Sequence, residues 1–225
     1  SVLMTMPMEL ERFRGTLFEP IYDTVLAAIT EEDLIPAYES GYVAGKNALL
    51  ARGVGLRDLL NGLKLQEFFN TDEKIQWVSN EITQDRTPDL RRYLIDQVKV
   101  AEIDAEAFAR RLTEEFLSKQ SDNWVCEFYE FLSEFGSWVR NILKRRPIIR
   151  LRDSSHVVAF DIHNKPQAFL PTPQGSRFPT VKTEVCNTER SMEFLQSLGL
   201  EEPDVVDEVR TLILSKYRGD EVDTT

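Results

Sequence analysis

Hydrophobic positions recur with helical period over long stretches of this chain and alternate with period two over a few short ones. From Pro20, the residues Ile21, Tyr22, Val25, Leu26 and Ile29 share one helix face, and an acidic TEED closes the run. Residues 34–38 and 42–44 read as a hairpin around Glu39-Ser40-Gly41, because glycine supplies the positive φ of a tight turn. Residues 47–51 and 57–60 read as short helical turns, the second stopped by Asn61-Gly62, and 72–78 as a weakly amphipathic helix. TPDLRRYLIDQ predicts a helix with Thr87 as N-cap, Pro88 at its first position and Leu90, Tyr93 and Leu94 inward. Residues 98–103 read as a strand. Asp104 then caps a helix over AEAFARRLTEEFLSK, with Ala105, Phe108, Leu112 and Phe116 inward.

An aromatic run follows, capped by Asp122. Trp124, Phe128, Phe131, Phe135 and Trp138 fall at i, i+4, i+7, i+11 and i+14, a stripe that predicts one continuous helix with Phe131 and Phe135 nearly fully buried. Glu127, Glu130 and Glu134 fall away from the stripe. The run passes through NILKRR into PIIRLRDSSHVVAF, which reads as a second hairpin with Arg150, Arg152 and His156 on its outer face. Residues 88–160 therefore run helix, strand, helix, helix, strand, strand. That is the chain order of a winged helix; the competing arrangement is a generic α+β unit in which the hairpin covers the aromatic helix.

Prolines 166, 171, 173 and 179 keep the next stretch irregular around one strand at 167–170. Residues 188–198 predict a helix with Phe194, Leu195 and Leu198 inward, stopped by Gly199, and a last helix begins at Pro203 or Asp204. A faint internal repeat runs through the pattern. LIPAYESGYVA and IIRLRDSSHVV align with Ile35 to Val43 and Ile149 to Val157 at equal spacing. Each is preceded by a helix and followed, after an insertion, by a leucine-rich segment ending in Gly-Leu, LRDLLNGL and FLQSLGL. The fold class expected is α+β, helix-rich, built of helix–β-hairpin units with a winged-helix-like core. The domains expected are a helix–hairpin unit over 1–66 and a winged-helix-like unit with a C-terminal helical extension over 67–225.

The chain has 225 residues, 42% of them hydrophobic, which suffices for an ordinary core. A net charge of -11 repels phosphate backbones and makes nucleic acid a poor partner. No apolar run approaches the length of a membrane span, and two cysteines, Cys126 and Cys186, are too few for a disulfide framework. A reducing cytoplasm fits. The absence of an initiator Met and the DEVDTT end are the features expected of a piece of something longer.

Candidate chemistry is thin. GYVAGKN fails as a phosphate loop on glycine spacing and on Asn47 in place of Ser or Thr, and RGVGLRD reads as a turn. His156 and His163 have no Cys or His at metal-ligand spacing, and Asp153, Ser155 and His156 on one strand cannot converge on one reacting atom. No catalytic residue, cofactor or metal site is predicted. The one positive spot is Lys144, Arg145, Arg146, Arg150 and Arg152, a candidate partner-binding cluster. Its other reading is a solvated helix end and outer strand face.

LIPAYESGYVAGKNALLARGVGLRDLL, PIIRLRDSSHVVAFDIHNKPQAFLPTP, FPTVK and FLQSLGLEEPDVVDEV together resemble the region downstream of the ATPase domain in large bacterial sacsin-like proteins. Those proteins carry a GHKL-type ATP-binding domain marked by a Glu-x-x-x-Asn helix and an Asp-x-Gly-x-Gly loop; neither motif occurs in this sequence. The resemblance implies a non-catalytic middle module of a chaperone-type ATPase, whose partners are the ATPase domain of the same polypeptide and other proteins. The alternative is a nucleic-acid-binding winged helix that uses the basic cluster.

Overall fold

A computed structural model describes residues 12, 19–53, 55–173 and 175–204. The expected last helix, beyond Asp204, lies outside the described residues. The chain is α+β and helix-rich, and it divides into two compact units between Phe108 and Ala109 rather than at 66/67.

The first unit opens with α1 (Glu19–Glu31) and the hairpin of β1 (Ile35–Pro36) and β2 (Tyr42–Val43), paired Ile35 to Val43 as the sequence predicts. A 3-10 turn over Gly45–Asn47 leads into β3 (Ala48–Ala51). Then come α2 (Gly55–Leu59), α3 (Leu63–Phe69), β4 (Gln76–Trp77), α4 (Pro88–Asp96) and β5 (Ala101–Ile103). β3 is the centre of a parallel sheet of order β4-β3-β5, and an antiparallel bridge from Ala37 to Val78 joins the hairpin to β4. These pairings tie residues 67–108 to the N-terminal hairpin and move the boundary.

The expected helical turn over 47–51 and part of the expected helix over 72–78 are thus strands, while the turn expected over 57–60 is helical, in α2. Ala48, Leu49, Leu50 and Ala51 are all buried, as in a central parallel strand covered on both faces, and such a run carries no period to separate strand from helix. In the 72–78 stretch, the expected helix is replaced by β4, whose Trp77 donates its indole N–H to Leu60 O at 2.6 Å. Gly45, the second glycine of the failed phosphate loop, is needed for packing. A Cβ there would stand 2.3 Å from Val98 Cγ1 and 3.0 Å from Ile29 O.

The division falls inside α5 (Ala105–Arg111), whose first turn Asp104 caps by accepting from Ala107 N–H. The expected helix over 105–119 breaks at Leu112. Thr113 accepts from Phe116 N–H and starts α6 (Glu114–Ser118) instead, as a residue that favours caps over helix interiors should. In the second unit α7 (Asp122–Ser133) and α8 (Ser137–Leu143) precede the hairpin of β6 (Ile149–Arg150) and β7 (His156–Val157), and α9 (Glu189–Ser197) follows. Residues 88–160 are split between the units, and β5 and the β6–β7 hairpin lie in separate sheets.

The aromatic stripe is not one helix. α7 ends at Ser133 and Gly136 starts α8, so the stripe loses its register. The buried face of α7 is Val125, Phe128, Tyr129 and Leu132 together with Trp124. Phe131 and Phe135 are only partly buried, and Trp138 is 63% exposed, contrary to the sequence expectation.

The faint repeat is a repeat of topology. Ile35 pairs with Val43 and Ile149 with Val157. Ala37 bridges antiparallel to Val78, and Leu151 to Val181; Leu49 pairs parallel with Trp77, and Phe169 with Thr180. The backbone bonds match as well. Ser79 N–H donates to Pro36 O at 2.8 Å and Lys182 N–H to Arg150 O at 3.0 Å, while Val78 donates to Leu49 O at 2.8 Å and Val181 to Phe169 O at 2.9 Å. A nine-residue helix with threonine at its N-cap follows in each, α4 after Thr87 and α9 after Thr188. Each is followed by a residue of positive φ, Lys99 at 66° and Gly199 at 92°, and then by a segment beside the unit's third strand. The pair of segments matched in sequence needs correcting: the counterpart of FLQSLGL is α4 and its exit, LRRYLIDQVKV, while LRDLLNGL belongs to an insertion.

Candidate binding site

The basic cluster does not form one surface. Arg145 and Arg152 are exposed, Lys144 and Arg146 partly so, and Arg150 is 7% exposed. The expected alternation fails because Ile149, Arg150 and Leu151 are buried in succession. Arg150 Nε lies 2.8 Å from Asp122 Oδ1, and its Nη1 donates to Gln120 O at 2.9 Å, close to the end of α6. Asp122 is available because Ser121, not Asp122, caps α7 by accepting from Trp124 N–H. Its other oxygen is 2.6 Å from Lys182 Nζ. Tyr129 completes the arrangement by donating to Ile148 O and accepting from Arg150 N–H. Arg150 therefore locks the hairpin to α7 and is unavailable to a partner.

His156, the cross-strand partner of Arg150, is also inside, 5% exposed, with neither ring nitrogen hydrogen-bonded. Burial first, then the adjacent Arg150, push its pKa down to about 4 against a smaller opposing pull from Asp122. It is a neutral core imidazole. Asp153 is occupied by Ser155, whose N–H and hydroxyl both donate to Oδ1. Cys126 and Cys186 are free and buried, and burial raises the Cys186 thiol to about 11. Among the described residues no group of three His, Cys, Asp or Glu is placed to hold a metal ion, and no helix is long and apolar enough to cross a membrane.

The structure draws attention instead to the first unit. Between its third and fourth strands residues 52–75 carry α2 and α3, where the second unit has the connection 171–179, with no helix among its described residues. A pocket of about 180 Å³ lies against this insertion, walled by Tyr38, Leu65, Ile75 and Trp77, with Glu39, Lys74 and Gln66 at polar positions. Leu63 at the start of α3 lines it and is 75% exposed. Glu39 accepts from Gly62 N–H at 2.7 Å, which fixes the entry to α3 against the hairpin turn. No sequence pattern signals this pocket, because the spacing places Trp77 in a helix over 72–78 and Asn61-Gly62, just before α3, is a stop signal.

No protein-family model, no curated protein and no solved structure matches the chain.

Proposed function

We propose that the chain is a binding module without chemistry of its own: a duplicated scaffold whose first copy presents the α2–α3 insertion to a protein partner. The observation that carries this reading is the exposed Leu63 at the lip of a pocket floored by Trp77 and Ile75, on the segment that distinguishes one copy of the scaffold from the other. An apolar anchor beside a concave, partly charged surface is what a protein contact of modest size requires. Binding surfaces also gather on connections held by a rigid frame.

The partner indicated by the sacsin-like resemblance is an ATP-binding domain of the same polypeptide, so the module would pass on or receive its conformational change. The nucleic-acid alternative has less support, since the basic cluster is dispersed and Arg150 is engaged internally. Titration of such an ATPase domain with the wild-type chain and with Leu63→Asp tests the proposal. Binding weakened at least tenfold by the substitution is expected. Equal affinity of the two would reject the face, and no binding by either would reject the partner.

A further inference from the structure

Arg57, the third residue of α2, holds its cation in the interior of the first unit. The residue is 3% exposed, its Nε has no hydrogen-bond partner, and among the described residues no carboxylate forms an ion pair with it. Its Cζ stands 5.7 Å from the centroid of the Tyr38 ring, a cation–π contact. The nearby Asp58 carboxylate is taken by the Tyr38 hydroxyl at 2.7 Å. Arg91, itself buried, is committed to Glu102 on β5, and Arg52, at the end of β3, reaches the other Glu102 oxygen at 3.7 Å. Glu102 is thus shared between Arg91 and Arg52, and Arg91 is near enough to Arg57 for the two charges to repel. Burial first, then the field of Arg91, lower the Arg57 pKa against smaller opposing pulls from Tyr38 and Asp58. A buried charge with no partner is unfavourable unless something supplies the opposite charge.

We propose that Arg57, with Arg91 nearby, forms a binding site for a small oxyanion, phosphate or carboxylate. The planar guanidinium fork suits two-point recognition of either group. Arg57 stands on the connection that leaves the carboxyl end of β3, the end at which open parallel sheets present their ligands. It sits on the α2–α3 insertion and has no counterpart among the described residues of the 171–179 connection. The site does not depend on the protein-partner reading, and its test involves no partner.

Thermal unfolding of the wild-type chain and of Arg57→Met is followed in sodium phosphate, sodium acetate and sodium chloride at matched ionic strength. The wild type gains Tm saturably in phosphate, in acetate or in both, and the responding salt identifies the oxyanion. Arg57→Met shows no saturable gain, and in chloride it is at least as stable as the wild type, because a buried cation without a partner has been removed. An excluded-salt effect does not saturate and persists in the variant. Equal responses of the two proteins would overturn the proposal, as would a variant that is markedly less stable in chloride, which is the mark of a structural arginine. Should Arg57→Met fail to fold, isothermal titration of the wild type decides: saturable heat with either anion supports the site, and no heat with both overturns it.

Discussion

The two units share a strand order and its backbone bonds, and they differ in what each has placed on that frame. In the second unit the hairpin is locked from within: Arg150 and His156 are buried, and Asp122 joins Arg150 to Lys182. At the matching positions of the first unit stand Pro36, Tyr42 and Ser79, none of them ionisable near neutral pH, and Tyr42 is 59% exposed. There the added structure is α2–α3, which brings the pocket and Arg57. One frame therefore serves as a closed support and the other as a surface with unfilled polar and apolar positions. Function is to be sought where the copies differ, since what they share is needed merely to fold.

The largest effects belong to the shared frame. Leu94→Ala and Leu195→Ala remove matching side chains, each fully buried, and each costs about 2–5 kcal/mol in denaturant unfolding. A negligible loss at one of them would break the equivalence. Next comes the lock peculiar to the second unit: Asp122→Ala leaves Arg150 buried without its carboxylate and costs about 3 kcal/mol. Gly45→Ala follows. Its methyl meets Val98 and the Ile29 carbonyl, and overpacking of this kind costs about 1–3 kcal/mol.

The pH dependence of the second unit is smaller still and has a definite sign. His156 has its pKa lowered from 6.5 to about 4, so the unfolded chain takes up a proton before the folded one. The stability it contributes is complete above 6.5 and is lost as pH falls through about 4. The charged groups that act on it are Arg150 and Asp122. His156→Gln flattens the profile between those limits; an unchanged profile would show that other groups carry it. The least effect is expected from Arg145→Ala and Arg152→Ala, exposed members of the dispersed cluster, each within about 0.5 kcal/mol of wild type.

Much of the frame was legible because it rests on local signals. Gly41 and the spacing of Ile35 and Val43 defined the first hairpin, and Thr87-Pro88 and Thr188 defined the two matching helices. The inner strands were hidden for a different reason. Ala48–Ala51 carries four apolar residues in a row, and the second unit's fourth strand rests on isolated bridges at Thr180 and Val181 beside a proline-rich stretch, whereas its third, bridged at Phe169, falls in the strand expected over 167–170. Their strand character comes from pairing partners distant in sequence. Arg150 was misplaced because alternation describes a half-buried strand, and α7 with its approach covers this one. Arg57 escaped notice because the chemistry there is a missing partner, which no sequence spacing displays.

The central claim is that one strand order, with one hydrogen-bond register, occurs twice. Native-state hydrogen exchange tests it at the amides of the strand register, Val78 and Ser79 in the first unit and Val181 and Lys182 in the second, and at those of the matching helix exits, Val100 and Leu200. The account predicts that all six are among the slowest-exchanging amides of their units, in matched pairs. Val181 and Lys182 exchanging as fast as the amides of the 171–179 connection, while Val78 and Ser79 stay protected, would contradict it.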